Sequence, residues 1–261
     1  MELKTALLKM AGTSGLKLVQ VRGEEFVYKE KTYQTNDLIL ETPISGTVYG
    51  TVLNYKGELE LLGDAVHEPP YKKTPAAPVL YIKPANTISG HGMLIPLPEG
   101  VEELQAGAAL GIVIGKKAVR IKEEEALEYV AGYTVVNDVS IPYSSVYRPP
   151  IMQKCRDGFC PAGPWIAARE DVENPDALSI RVFVNEVLQQ ETTTANLIRP
   201  VSKLIADVTE FMTLEEGDIL LAGVSENPPR LKDGDTVKIS IESVGSLQNR
   251  VAKEEEWMVQ L

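Results

Sequence analysis

Apolar and polar residues alternate along several short segments of this chain, a period of two that is typical of β-strands with one buried face. Segments 16–21 and 25–29 alternate in this way and are separated by a glycine, which predicts a hairpin. Segment 32–42 predicts a further strand, with Leu38 and Leu40 on the same face. The N-terminal part of the chain is therefore expected to be all β.

The segment from Pro43 to Gly46 predicts a boundary, which divides the chain into a small β module (residues 1–45) and a larger domain (residues 46–261). Beyond this boundary, the run LGIVIG at 110–115 is apolar without alternation, as expected for a strand that is buried on both faces. Further strands are predicted over segments 47–53, 79–82, 178–184, 219–223 and 236–241.

Two segments have apolar residues at helical spacing. Segment 122–130 carries acidic residues in its first turn, which favours a helix because of the helix dipole. Segment 200–211 predicts a second helix, with Ile205, Val208 and Phe211 facing inward. Strands outnumber helices and do not alternate regularly with them, so the sequence predicts a β-rich α+β fold rather than a Rossmann-type fold.

Composition limits the classes of partner. The chain of 261 residues carries a formal net charge of −11, which argues against nucleic acid or an anionic membrane as a partner. The sequence shows neither a signal peptide nor an apolar run long enough to span a bilayer, so we expect a cytoplasmic protein. Cys155 and Cys160 lack the spacing of a zinc site and are expected to be free thiols.

The stretch from 129 to 166 concentrates the candidate chemistry. Asn137 and Asp138 follow a β-like run, and a carboxylate at a strand end is a suitable ligand for a hard divalent cation. Lys154, Arg148 and Arg156 follow in a long loop and are suited to binding a carboxylate substrate. The alternative is that Asp138 caps a turn and that the three cations are solvated.

The same stretch resembles the fumarylacetoacetate hydrolase superfamily, through the run GYTVVND at 132–138 and the run KCRDGFCPAGPW at 154–165. The resemblance implies a mixed β-sandwich roll. Other runs, such as YIKPANT and YRPPIMQKCRDGFCP, are similar to the N-terminal half of the bifunctional decarboxylase/isomerases of homoprotocatechuate degradation. This similarity implies a small dicarboxylate or tricarboxylate as substrate.

Active members of the superfamily hold Mg²⁺, Mn²⁺ or Ca²⁺ with three carboxylates, so the resemblance implies a divalent cation as cofactor. Asp138 matches the aspartate of that set, but the two glutamate positions are Gly107 and Ala109, which have no ligand side chain. Glu102 and Glu103 lie nearby and are expected to be rim charges. A divalent cation is therefore doubtful in this chain.

Other positions of the family pattern are matched unevenly. Lys154 matches the lysine that acts on substrate, and Arg148, Arg156, Asn137 and Lys83 are the candidate substrate-binding residues. Lys83 ends an apolar strand, so the alternative is that its ammonium group reaches solvent at the end of that strand.

Further departures concern the late Gly-Thr motif, which reads Gly223-Val224, an Arg-Asp pair and the histidine positions. An Arg-Asp pair that is usual after the Asn-Asp motif is replaced by Pro142 and Tyr143. His67 and His91 do not match the family's catalytic histidine and are interpreted as solvated loop residues.

Three functions remain open at this point. The first is a decarboxylase/isomerase that acts on 5-oxopent-3-ene-1,2,5-tricarboxylate or 2-hydroxyhepta-2,4-diene-1,7-dioate, either with a metal or with Lys154 and the arginines as the electron sink. The second is a catalytically degenerate subunit that pairs with an intact sister subunit. The third is an acylpyruvate-type C–C hydrolase. The superfamily resemblance implies a homodimer or a heteromer in each case.

Overall fold

The computed structural model describes residues 3–69, 72–143 and 150–259. Most of the regular structure is β. The strands in chain order are β1 (Lys4–Met10), β2 (Lys17–Arg22), β3 (Glu25–Tyr28), β4 (Lys31–Gln34), β5 (Leu40–Glu41), β6 (Val48–Val52), β7 (Val79–Lys83), β8 (Ile88–Ser89), β9 (Leu94–Leu97), β10 (Leu104–Gln105), β11 (Ala108–Ile114), β12 (Val130–Asn137), β13 (Cys160–Ala168), β14 (Ser179–Val184), β15 (Val187–Thr193), β16 (Ile219–Leu221), β17 (Arg230–Leu231), β18 (Thr236–Ile241) and β19 (Gly245–Lys253).

The helices are short. The α-helices are α1 (Lys56–Leu62), α2 (Ile151–Lys154), α3 (Val201–Thr209) and α4 (Glu254–Met258). Single 3₁₀ turns or short 3₁₀ helices occur at Gly63–His67, Ala85–Thr87, Glu123–Tyr129, Arg169–Asp171 and Thr194–Asn196. In the described part of the chain, no helix has the length and apolar character that crossing a membrane requires.

The described strands form two main sheets. The larger follows the order β4-β3-β2-β1-β13-β12-β11-β16-β6-β7, with β5 beside β1 and β8 beside β13. The smaller follows the order β15-β14-β18-β19-β9, and β10 pairs separately with β17. Strands β18 and β19 of the smaller sheet contact β12 and β13 of the larger sheet, so these two sheets enclose the main core. This β-rich architecture confirms the predicted fold class.

The central strand β11 is buried along its whole length, which explains its unbroken apolar run. Leu110 and Ile112 belong to the main core, together with Val182 of the smaller sheet. Ala109 and Val113 point to the opposite face and pack in a second apolar cluster. The candidate site lies where β11 begins and the antiparallel strand β12 ends.

The predicted N-terminal hairpin is confirmed as β2 and β3, which pair with Val21 opposite Phe26. The predicted strand over 32–42 is wrong in extent, because Asp37 closes a turn by accepting the backbone N–H of Gln34 at 2.8 Å. Only β4 and the short β5 remain, and Leu38 is 36% exposed whereas Leu40 is 1% exposed. The two leucines therefore do not share a buried face.

The proposed division at residue 45 stays a prediction. The structure adds that β1 pairs with β13 through Ala6 opposite Ala167 and Leu8 opposite Trp165. The N-terminal strands thus extend the larger sheet rather than forming a sheet of their own.

Three other expectations are corrected. The segment predicted as an amphipathic helix at 122–130 is a 3₁₀ helix over Glu123–Tyr129, and β12 begins directly after it. Helix α3 ends at Thr209, so Phe211 is exposed while Ile205 and Val208 are buried as predicted. Segment 79–82 is the predicted strand, but it lies at the sheet edge and exposes Ile82.

The first glycine of the GYT run has a packing role that can be tested. A Cβ added at Gly132 would lie 2.1 Å from the carbonyl oxygen of Ala167 in the neighbouring strand. We therefore expect Gly132→Ala to lower the free energy of unfolding by about 2 kcal/mol or more, because backbone must move in a packed core.

Ala131, which is exposed in the same strand, provides the control. Ala131→Ser should change the free energy of unfolding by less than about 0.5 kcal/mol, as measured by urea denaturation of both variants. Equal stability of the two variants would contradict the assigned packing.

Candidate active site

The site is built on the end of β12, where Asn137 and Asp138 are held by the backbone that leads into β11. The N–H of Asp138 donates to the carbonyl oxygen of Gly107 at 2.7 Å. The N–H of Gly107 donates to the side-chain oxygen of Asn137 at 2.9 Å. Both side chains are almost fully buried. The position of the Asp138 carboxylate is therefore fixed by the sheet.

The edge strand β7 supplies two further side chains. Tyr81 and Lys83 alternate along the strand and therefore point to the same face. The ammonium group of Lys83 lies 3.0 Å from Oδ1 of Asp138 and donates to the carbonyl oxygen of Lys154 at 2.6 Å. The hydroxyl of Tyr81 donates to Oδ2 of Asp138. Lys83 is thus a buried partner of Asp138 rather than a residue that reaches solvent.

Helix α2 supplies Lys154, whose ammonium group lies 2.5 Å from Oδ2 of Asp138. The same ammonium group lies 4.8 Å from the ring centroid of Tyr81 and 5.9 Å from that of Tyr143. Its side chain is 8% exposed. We call Lys83, Asp138, Lys154 and Tyr81 the lysine–aspartate cluster.

The cluster shifts the pKa values of its members. Burial by itself would raise the pKa of Asp138, but the charges of Lys154 and Lys83 outweigh it and lower this pKa to about 2. Burial and the neighbouring Asp138 charge raise the pKa of Tyr81 well above its usual value. The carboxylate is therefore ionised and the phenol is neutral across the physiological range.

The charges of Lys83, Asp138 and Lys154 also act on the pKa of the Cys160 thiol. Burial is the main effect and raises the pKa of this thiol to about 12. The pKa of Cys155 is also raised, mainly by burial. Both cysteines are free, as predicted. Neutral thiols are poor nucleophiles and poor metal ligands, so neither cysteine has the ionisation state that such a role requires.

Sequence reasoning missed Glu58, which α1 places near Lys154. Burial raises the pKa of Glu58 to about 7, although the N–H groups of Tyr55, Leu53 and Asn54 and the charge of Lys154 act in the opposite direction. The sequence pattern that could have indicated Glu58 is a glutamate three residues after Tyr55, the spacing of a helix-capping residue. Tyr81 was also missed, and its signal was its spacing of two from Lys83.

The structure brings together three of the predicted site residues, Lys83, Asp138 and Lys154, with Asn137 beside them. Arg156 is directed elsewhere, since its Nε donates to the carbonyl oxygen of Met152 at 3.0 Å. Arg148 lies outside the described residues. The assignment of substrate-binding roles to these residues stays a prediction.

Gly107 and Ala109 lie where the sequence register placed them. Gly107 contacts Asp138 through its backbone, and a Cβ at this position would lie 2.2 Å from the carbonyl oxygen of Asp138. Ala109 pairs with Val136 and is buried in the second apolar cluster. Glu103 lies 3.5 Å from Arg230 in a partly exposed ion pair, as expected for a rim charge.

The two histidines differ in their surroundings. His67 is exposed as predicted, but it ends the 3₁₀ helix Gly63–His67 rather than lying in a loop. His91 was also expected to be solvated, but it is buried, and its ring nitrogens contact Asn36 at 3.2 Å and the N–H of Gln248 at 3.3 Å. The loop that contains His91 packs against β19, which removes this side chain from solvent.

The sequence profile of the fumarylacetoacetate (FAA) hydrolase C-terminal family matches residues 47–252. The chain belongs to the fumarylacetoacetate hydrolase family. This match confirms the resemblance that the Asn-Asp and Arg-Asp-Gly motifs indicated. It also accounts for the strand-rich fold, which the family's solved isomerases and hydrolases share.

Among curated proteins of this family, the chain is 39% identical over 213 residues to the 4-hydroxyphenylacetate degradation bifunctional isomerase/decarboxylase of Escherichia coli. The match covers 82% of this chain and 48% of that protein. The chain therefore spans about half the length of the curated relatives that it matches most extensively.

Two solved structures illustrate the fold. The 5-carboxymethyl-2-hydroxymuconate delta-isomerase of Mycobacterium smegmatis superposes with a TM-score of 0.78 at 27% identity, covering 95% of this chain and 99% of that chain. Maleylpyruvate hydrolase from Sphingobium, in complex with manganese and pyruvate, superposes with a TM-score of 0.75 at 23% identity, covering 95% and 99%. The second likeness shows the fold alone.

A metal site of the three-carboxylate kind does not fit the residues of this chain. Both oxygens of Asp138 are in ion pairs, and the two ammonium groups repel any metal cation at that place. Gly107 and Ala109 supply no ligand oxygen from a side chain. Among the described residues, no group of three or more His, Cys, Asp or Glu side chains is arranged to hold a metal ion.

The buried ion pairs predict a large loss of stability when Asp138 is neutralised. Asp138→Asn leaves two buried ammonium groups without their carboxylate, so we expect a loss of about 3–5 kcal/mol in the free energy of unfolding. The exposed pair Lys117–Glu215, at 2.8 Å, provides the control. Glu215→Gln should cost less than about 1 kcal/mol in the same denaturation experiment.

The dependence on pH gives a separate expectation. Since the pKa of Asp138 is lowered to about 2 by folding, its contribution is present above pH 4 and is lost as the pH falls through about 2. The stability difference between the natural chain and Asp138→Asn should shrink over that range in acid titrations of unfolding. A constant difference would contradict the ionised state assigned to Asp138.

Proposed function

We propose that this chain catalyses decarboxylation or isomerisation of an unsaturated dicarboxylate or tricarboxylate formed in the breakdown of 4-hydroxyphenylacetate. The compounds proposed are 5-oxopent-3-ene-1,2,5-tricarboxylate and 2-hydroxyhepta-2,4-diene-1,7-dioate. The names of the curated relatives that match 82% of this chain support the reaction class. The lysine–aspartate cluster is the observation that carries the proposal.

The cluster has an unbalanced charge. Lys83 and Lys154 supply two ammonium groups, and Asp138 supplies one carboxylate. The formal charges of these four residues therefore sum to +1, and nearby Glu58 compensates this only in part because its pKa is about 7. Burial makes an unpaired charge unfavourable. A substrate carboxylate or enolate would supply the missing negative charge. Lys154 is the member that retains some exposure, so it is the residue placed to contact a ligand.

The same charge suits the chemistry. In decarboxylation of the tricarboxylate, the electron pair of the C–CO₂⁻ bond passes through the conjugated C=C bond to the 5-oxo group and forms a dienolate, while CO₂ leaves. An ammonium group that is fixed beside the developing oxyanion stabilises it without having to reorganise. Asp138 and the cation–π contact with Tyr81 fix the ammonium group of Lys154 in this way. Isomerisation passes through the same type of enolate and needs the same stabilisation.

A second candidate function is a non-catalytic subunit that pairs with an intact sister subunit. The observation in its favour is the loss of side-chain ligands at Gly107 and Ala109, in positions that the fold keeps in register with Asp138. Assembly as a homodimer or heteromer and a cytoplasmic location belong to both candidates and remain proposals.

The deciding experiment is turnover of the tricarboxylate by the purified chain, with added Mg²⁺ and then with EDTA. We expect decarboxylation that survives EDTA and falls about 100-fold or more in Lys154→Met, because the electron sink is an ammonium group. Lys117→Met, at an exposed ion pair, should retain the activity of the natural chain.

The other outcomes separate the candidates. Turnover that requires Mg²⁺ would mean that ligands come from residues other than those assigned here. The absence of turnover in both conditions would favour the non-catalytic subunit, and the purified chain should then be tested with an intact family member.

A further inference from the structure

Tyr81 reaches the lysine–aspartate cluster from the edge strand β7 because the larger sheet curves back on itself. Shortly after β7, Ile88 of β8 pairs with Cys160 of β13, in the middle of the same sheet. The curved part of the sheet surrounds the second apolar cluster, to which Cys160 belongs. A side chain on the inner face of β7 therefore meets the end of β12, although three strands separate β7 from β12 along the sheet.

A glycine in the neighbouring strand makes room for the Tyr81 ring. Gly50 of β6 is paired with Tyr81, and Val48, two residues earlier, belongs to the second apolar cluster. Paired positions of neighbouring strands share a face of the sheet. The ring lies directly over Gly50, since a Cβ added there would be 2.0 Å from Cζ and 2.4 Å from the hydroxyl oxygen of Tyr81. A side chain at position 50 would occupy the space that the ring fills.

From this position, Tyr81 contacts Asp138 and Lys154 at the same time. Its hydroxyl donates to Oδ2 of Asp138, the oxygen that also accepts from the Lys154 ammonium group at 2.5 Å. Its ring faces that ammonium group, with 4.8 Å between Nζ and the ring centroid. The Lys154 side chain is 8% exposed, and a cation–π contact is stronger where the cation has lost most of its water. The hydroxyl thus fixes the ring, and the ring and the carboxylate together fix the ammonium group.

We propose that Tyr81 is a positioning residue, which holds the Lys154 ammonium group where it stabilises the oxygen of the developing dienolate, and that this role requires Gly50. The inference rests on the proposed function and adds to it the residues that set the place of the electron sink. An ammonium group that is free to move stabilises the transition state less, because it must reorganise as charge develops. The charge that attracts an anionic substrate stays the same, so loss of Tyr81 should affect kcat more than KM.

The competing explanation is that Tyr81 only fills space beside Gly50. Tyr81→Phe removes the hydroxyl and keeps the ring, whereas Tyr81→Leu removes both. Gly50→Ala leaves all members of the cluster in the sequence and displaces the ring. Tyr49→Phe is the matched control, since Tyr49 precedes Gly50 in β6, points to the opposite face and packs against the main core.

The first measurement is kcat and KM for decarboxylation of the tricarboxylate. We expect kcat to fall about 10-fold in Tyr81→Phe and about 100-fold in Tyr81→Leu and in Gly50→Ala, with KM changed less than about threefold. Tyr49→Phe should keep both constants. The double variant Gly50→Ala/Tyr81→Leu should have the kcat of Tyr81→Leu, because Gly50 acts through the ring.

The second measurement needs no substrate. Urea denaturation of the natural chain, Tyr81→Leu, Lys154→Met and the double variant gives the coupling between the two side chains. Tyr81→Leu should lower the folding equilibrium constant of the natural chain about 5-fold more than that of Lys154→Met, because only the natural chain has the cation–π contact to lose. A residue that only fills space would lower both constants equally.

The results distinguish the two proposals. Turnover by the natural chain with normal kcat in Tyr81→Leu would overturn the positioning role and leave the proposed function intact. Normal kcat in Gly50→Ala would overturn the requirement for Gly50, and if that variant does not fold, Tyr81→Phe carries the kinetic test. Absence of turnover by the natural chain would overturn the proposed function and the effect on kcat. The coupling would then decide by itself whether Tyr81 holds Lys154, and equal losses in both backgrounds would show that it does not.

Discussion

The burial of the Asp138 carboxylate between two ammonium groups is the interaction on which the site depends. Lys83 comes from β7 at the sheet edge, Asp138 from the end of β12 and Lys154 from the short helix α2. A charge buried without a partner is costly, so these three elements are held in place together. The 2.6 Å contact from Lys83 to the carbonyl oxygen of Lys154 joins the edge strand to the helix directly. A four-residue helix has little stability of its own, and this cluster supplies the contacts that it lacks.

The same interaction determines the kind of chemistry that the site supports. Family members with three carboxylates gather negative charge around a cation, whereas this chain gathers positive charge around one carboxylate. The backbone at Gly107 also lies close to the Asp138 carbonyl oxygen, so a side chain at position 107 would require the backbone to shift. The two ammonium groups are therefore a local concentration of positive charge within a chain whose net charge is −11.

Glu58 and Asp138 illustrate how two carboxyl groups near one lysine acquire different properties. Asp138 contacts both lysines and has no access to solvent, so its charge is fixed. Glu58 is held mainly by backbone amides and is partly exposed, so the cost of burial is not fully offset and its proton can be exchanged. The two carboxyl groups therefore differ in ionisation because burial and neighbouring charges act on them differently.

The sequence alone determined the β-rich fold, the family and three members of the cluster, because these follow from local periodicity and from motifs whose residues are close in the chain. The hairpin at β2 and β3 and the apolar run of β11 are examples.

The tertiary structure decided what the sequence left open. Lys83 was ambiguous until the sheet placed its strand beside the end of β12, and Phe211 was assigned to the core until the helix proved to end before it. Tyr81 and Glu58 reach the site from segments 57 and 80 residues before Asp138, and only folding brings such distant positions into contact. The ionisation of these groups depends on burial and on neighbouring charges, neither of which is visible in a linear pattern.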